Sequence, residues 1–245
     1  MKTRKLFAIL TAALSLTTIS AQENIIYGGI GLPQGKFGGD DTKEVFLSNG
    51  GKEGGAALGL NVGFKSLQSI SPAFSWFISG DIFYNGLHSD IKDDIEDGWE
   101  DVEKLPAYIN VPVMGGVNFS IAELGTGFSL WAEAGLGLNF RYITDYSVSE
   151  KSTDTYMGTT YTLHEELNIS FDSKFLVAYQ IGAGLKINDQ FTVGLHYYNL
   201  GSDKVKMDYK YELDPDYYDE SFKDDGKSSK KLSTSLVAVR VGFVF

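Results

Sequence analysis

Residues 128–142 read Phe-Ser-Leu-Trp-Ala-Glu-Ala-Gly-Leu-Gly-Leu-Asn-Phe-Arg-Tyr. The even positions, Phe128, Leu130, Ala132, Ala134, Leu136, Leu138, Phe140 and Tyr142, are apolar or aromatic. The odd ones hold Ser129, Trp131, Glu133, Gly135, Gly137, Asn139 and Arg141. A repeat of two is the side-chain period of an extended strand, whose successive residues point to opposite faces. One face of this strand is greasy, and the other mixes glycine with polar groups.

Three later stretches repeat the pattern. Phe175 to Ile187 and Phe191 to Tyr198 alternate from an aromatic start, and Val237 to Phe245 alternates to the last residue. Across the four strands the apolar face has 24 positions and no charge, whereas the other has 21 positions with four charges and six glycines. A face meeting bulk water would be dense in Lys, Glu and Thr, and glycine weakens a strand unless space is short. A narrow lumen supplies that reason, because an eight-stranded closed sheet is only just wide enough for its interior side chains. Gly135, Gly137, Gly182 and Gly184 are therefore expected to make room for Trp131, Tyr198 and Arg240, with the apolar face turned outward to lipid. A soluble periplasmic barrel binding a small ligand, its greasy side turned inward, is the alternative.

The N-terminal half alternates more loosely. Ala56, Leu58, Leu60, Val62 and Phe64 share one face, as do Phe74, Trp76, Ile78, Ile82 and Tyr84, and then Ile109, Val111, Val113, Val117 and Phe119. A glycine-rich strand at about Asn24 to Phe37 completes eight. Three connectors are short (Leu67–Ser71, Ala122–Gly127, Asn188–Gln190), and four are long and charged (about 38–54, 88–104, 147–168 and 202–231). Short periplasmic turns alternating with long extracellular loops are the pattern of outer-membrane barrels. The expected fold is all-β: an eight-stranded antiparallel up-and-down transmembrane β-barrel with both ends of the chain periplasmic.

Residues 1–21 read as a secretory signal peptide, with Lys2, Arg4 and Lys5 before the apolar run Leu6 to Leu16 and cleavage expected between Ala21 and Gln22. Residues 22–245 then form the barrel domain. The apolar run is too short for a spanning helix, and no later stretch offers 18 apolar residues. With no cysteine, the chain holds no disulfide and no Cys-ligated metal. A formal charge of −11 disfavours nucleic acid as a partner.

The acid-rich segment Asp90 to Glu103 fails as an EF-hand. With Gly98 at the sixth position, Ile95 falls third and Lys104 twelfth, where oxygen ligands are needed. It reads instead as a solvated loop, and no metal or other cofactor is expected. Lys65, Asp81, Glu133, Arg141, Lys186, His196 and Arg240 are expected to face the lumen. Buried charges are costly unless paired, so Glu133 and Asp81 should bridge to Arg240, Arg141 or Lys186. The outward aromatics read as interfacial girdles: Phe64, Trp76, Phe119, Phe128, Phe191 and Phe245 near the periplasmic rim, Tyr84 and Tyr142 near the outer one. Only His88, His164 and His196 could serve as a usual general base, and none sits in a legible triad, so no catalysis is expected.

Val241, Phe243 and Phe245 resemble the C-terminal signature of outer-membrane β-barrels, which implies recognition by the barrel-assembly machinery. The chain also resembles the small outer-membrane barrel proteins of the OmpX/OmpW/PorT-like type. Tyr108-Ile109-Asn110-Val111-Pro112 is similar to the Tyr-hydrophobic-Glu-hydrophobic-Pro strand of the PorT-like branch, with Asn110 where Glu is usual. The resemblance implies a non-enzymatic protein of the Gram-negative outer membrane, in contact with its lipid and lipopolysaccharide. Its role would be structural or a surface interaction through the long loops, with Asp214 to Glu220 as the best contact surface. A narrow channel for small solutes is the second possibility.

Overall fold

The computed structural model describes residues 23–39, 41, 45, 51, 53–156, 159–215 and 222–245. The Ala21/Gln22 cleavage point lies outside the described residues, as does most of Asp214–Glu220. Eleven strands run β1 (Glu23–Pro33), β2 (Gly59–Ser71), β3 (Phe74–Asn85), β4 (Asp101–Lys104), β5 (Tyr108–Glu123), β6 (Phe128–Ile143), β7 (Tyr146–Tyr156), β8 (Thr159–Phe171), β9 (Lys174–Ile187), β10 (Phe191–Pro215) and β11 (Phe222–Val244). A helix, α1 (Ser89–Gly98), precedes β4.

All pairings between these strands are antiparallel, and eight of the strands close a ring. The order is β1-β2-β3-β5-β6-β9-β10-β11, with β11 paired to both β10 and β1. Closure leaves those strands without a free edge through the ring. Alternation decides the faces. Leu60, Leu136 and Val177 point outward and are 68%, 69% and 74% exposed. Their inward neighbours Asn61, Gly135 and Ala178 are buried. The middle of the ring is therefore polar and the outside greasy, the reverse of a soluble barrel. Two positions depart from the expected face. Ala56 precedes β2, bridging to Leu87, and is buried there, and Val111 is buried opposite Phe140.

The turns at one end are tight. Pro72-Ala73 joins β2 to β3, so the expected connector Leu67–Ser71 is strand instead. Asn188 and Asp189 take φ of 49° and 55° between β9 and β10, a left-handed conformation that these two residue types tolerate. At the other end three of the four long connectors, 88–104, 147–168 and 202–231, carry regular structure among the described residues. β1 stops at Pro33, and a 3-10 turn follows over Gly35–Phe37 in place of the expected strand to Phe37. The acidic segment folds as α1 because Ile91 and Ile95, one helical turn apart, share a face, and Ile91 is buried. β7 and β8 form a hairpin within 146–171. β10 and β11 run on past a bulge at Asn199/Ser202, where Gly201 takes φ 97°.

These additions share one apolar cluster with the loop-side ends of the ring strands. Phe37, Leu87, Ile91, Tyr108, Ile143 and Met207 belong to it, and Tyr108 Oη donates to the Gly54 carbonyl. The ring is thus capped at its loop end by a second hydrophobic core.

Candidate functional site: the interior polar network

Every ring strand sends a side chain into the middle, and two carboxylates organise them. Glu133 on β6 accepts from four donors. Lys65 Nζ lies 2.5 Å from Oε2, and Asn118 Nδ2 also donates to Oε2 at 3.2 Å. Gln180 Nε2 donates to Oε1 at 3.2 Å, and His196 Nε2 lies 3.1 Å from the same oxygen. Asp81 on β3 accepts from Arg240 Nη2 at 2.7 Å, and more distantly from Asn61 Nδ2 and Tyr198 Oη, each at 3.4 Å. Lys65 with Glu133 and Arg240 with Asp81 thus form opposite-charge pairs, without which their desolvation would not be offset.

The cations are held twice. The Arg240 guanidinium carbon lies 4.5 Å from the Tyr27 ring centroid and 4.7 Å from that of Tyr198. Lys65 Nζ lies 5.1 Å from the Phe77 ring and 5.4 Å from that of Trp131. Such placement over ring faces adds attraction where water is excluded. Glycine supplies the room. A Cβ at Gly182 would overlap His196, one at Gly184 would overlap Trp131, and one at Gly63 would overlap Tyr27 and Asp81. The expected glycine partners are thus partly reassigned: Gly135 faces Phe77, Gly137 meets Met114 and the Val113 carbonyl, and Arg240 is housed by aromatic faces.

Of the seven residues read as lumen-facing, Lys65, Asp81, Glu133, His196 and Arg240 come together. Lys186 does not join them. It bridges Glu23 at 2.7 Å and Asp189 at 3.3 Å at the turn end, because β9 carries it to the rim. Arg141 stays apart at the loop end, fully buried, its guanidinium without a hydrogen-bond partner among the described residues; the carboxylates acting on it are Asp172 and Asp203. The expected bridges from Glu133 or Asp81 to Arg141 and Lys186 are therefore replaced by Lys65 and His196. Gln180 and Asn118 are partners of Glu133 that the sequence reading does not single out, whereas Tyr198 is where the inward parity places it.

Below the network a cavity of about 730 Å³ reaches the turn end, bounded by Trp131, Glu133, His196 and Arg240 at its floor and by Pro72, Gly125 and Asp189 at its mouth. Above the network, Phe83 packs on Tyr198 with ring centroids 5.1 Å apart, and the apolar cap follows. Beyond the ring, Lys174 donates to Asp203, which holds that carboxyl below its usual range. No group of three or more metal-ligating side chains occurs among the described residues.

No protein-family model matches the chain, and neither does any curated protein. Among solved structures it is similar to Ail, the attachment invasion locus protein of Yersinia pestis, at 14% identity and a TM-score of 0.40, over 91% of this chain and 98% of that one. It is also similar to the outer membrane protein OprG from Pseudomonas aeruginosa, at 11% identity and a TM-score of 0.44, over 92% of this chain and 96% of that one.

Proposed function

We propose that the chain is an integral outer-membrane β-barrel, non-enzymatic and shut to solutes, whose work is done by the structure built on its loop end. The inverted polarity of the closed sheet carries this reading: the Lys65–Glu133 and Arg240–Asp81 pairs and their amide partners lie inside, and Leu, Val, Ile and Phe lie bare outside. On β9 the outward positions from Phe175 to Ile187 cover about 40 Å of strand, or about 30 Å of height at the tilt usual for such barrels. That matches a bilayer's hydrocarbon core. Aromatic pairs edge the band: Phe191–Phe243 and Phe74–Phe119 toward the turns, Tyr179–Tyr197 and Phe140–Phe175 toward the loops. Short turns on one side and built-out connectors on the other favour a periplasmic turn end. Both described ends of the chain lie on that side, where the Asn24 N–H donates to the Phe245 carbonyl.

The scattered histidines support the absence of catalysis. His196 is engaged by Glu133, His88 faces Asp90 at 3.7 Å, and His164 meets the Glu150 carbonyl. The second reading, a narrow channel, is favoured by the cavity that opens at the turn end. Planar-bilayer recording separates the two. The capped lumen predicts silence from protein that keeps heat-modifiable gel mobility, whereas discrete, reproducible openings would establish the channel instead.

A further inference from the structure

We propose that the outward face of the β10–β11 hairpin, just above the apolar band, is a seat for the phosphate groups of glycolipid in the leaflet on the loop side. Reading the hairpin's cross-strand rows upward gives the reason. Leu195 pairs with Val239 and Tyr197 with Val237, which are membrane-facing rows. Asn199 with Ser235 and Ser202 with Ser233 come next, small and polar, as suits a headgroup boundary. Then Lys204 pairs with Lys231, followed by Lys206 with Ser229.

Two lysines directly opposite each other repel and are destabilising in a sheet unless an anion lies between them. All three lysines are exposed, and among the described residues none has an ion pair. The acids of the neighbourhood are already engaged: Asp203 by Lys174, Asp208 by Lys227 at 3.8 Å, and Glu212 by Lys223. Higher on the hairpin, charges alternate in sign across the rows, as in Lys210 with Asp225. Only the rows nearest the membrane are purely basic, in a chain whose formal charge is −11. Lys36 adds a further exposed cation on the 3-10 turn that packs against β11. A lysine's long stem lets its ammonium bend down toward the headgroup plane.

The ligand class is therefore a phosphorylated lipid rather than a protein or a free anion. The seat rests on the membrane placement proposed above, because the apolar rows set where the leaflet ends. The test uses the full barrel in phosphatidylcholine nanodiscs doped with lipid A, either bis-phosphorylated or dephosphorylated, with lipid bound per barrel read by native mass spectrometry. The wild type should retain the phosphorylated form several-fold over the other. The triple variant Lys204→Gln, Lys206→Gln, Lys231→Gln should lose most of that preference while keeping folded gel mobility. The matching variant Lys210→Gln, Lys223→Gln, Lys227→Gln should keep it. Excess inorganic phosphate should leave the preference in place, since the free ion lacks an acyl anchor; its abolition would overturn the lipid assignment. A barrel that inserts but shows no preference, or a triple variant that retains it, overturns the seat alone. A chain that never inserts overturns the membrane placement as well.

Discussion

Glu133 has the most crowded carboxylate in the molecule's interior, and its four donors come from β2, β5, β9 and β10. Replacing it by glutamine keeps the shape but leaves the Lys65 ammonium buried without its counter-charge. Glu133→Gln should cost about 3–5 kcal/mol in urea unfolding from vesicles, the usual range for a broken buried pair. Lys65→Met combined with Glu133→Leu should cost less than the single change, because no bare charge remains. A double variant as damaged as the single one would show that the amide and imidazole partners, not the ion pair, dominate. At this scale the inward parity of Lys65, Asp81, Glu133, His196 and Arg240 was legible in the alternation, because period two assigns faces without assigning height. Partner choice was not legible. Which cation meets Glu133 depends on strand stagger around the ring, and that stagger placed Lys65 at its level and carried Lys186 down to Glu23.

The elements show where periodicity failed as a guide. β7 reads Tyr-Ser-Val-Ser-Glu-Lys-Ser-Thr-Asp-Thr-Tyr, and between its terminal tyrosines Val148 is the sole apolar residue, so there is no greasy face to find. Only its base is buried, where Tyr146, Val148 and Phe171 join the cap, and beyond it the strand draws on β-branched and hydroxyl residues that tolerate exposure. The upper part of β10 did carry a signal. Val205, Met207, Tyr209 and Tyr211 alternate with Lys204, Lys206, Asp208 and Lys210, but with parity opposite to that of the strand below. The bulge at Gly201 causes the switch, since one extra residue exchanges the faces. Helix α1 was masked by its eight neighbouring carboxylates, although Ile91 and Ile95 mark its buried side.

That side can be tested directly. Ile91→Asp buries an unpaired charge in the cap and should cost about 2–4 kcal/mol of local stability. Limited proteolysis should then cut within residues 86–104 while the ring keeps its gel mobility. Loss of the whole barrel would mean the cap and ring fold as one unit. A pH dependence belongs to the hairpin base. Asp203 ionises below its usual range because Lys174 holds it, so its contribution is complete above the unfolded value and disappears as pH falls through the folded one. Protease protection of the β10–β11 extension should weaken in acid, and Asp203→Asn should remove that part of the pH response.

For the whole molecule, the decisive contrast is between the two sides of one wall. Val241 points out into the apolar band, while Thr192, on the adjacent strand opposite Gly242, points into the turn-side cavity. Val241→Arg should cost roughly 2–4 kcal/mol if its depth is near mid-membrane. Thr192→Arg should cost roughly 1 kcal/mol or less, since the cavity has room and carboxylates nearby. Equal costs in the same vesicle unfolding assay would contradict the outward assignment of the greasy face. Gly242 itself is a poor control, because a Cβ there would crowd Thr192 Oγ1 at 2.6 Å and Ile25 Cγ2 at 2.9 Å. The closed eight-strand ring was readable from alternation and connector length, whereas the cap was not, because its apolar residues are scattered among the charged residues of all four connectors.

The unbroken run of β10 and β11 past the bulge has a mechanical meaning. From Ser202 to Pro215 the strand climbs about 40 Å further, braced along part of its length by β8. A paired ribbon of that length is a mast rather than a tether: it sets a standing height for whatever it bears. Shortening it by equal numbers of residues from both strands would lower that height without touching the wall beneath, making reach beyond the ring a quantity that can be dialled independently of stability.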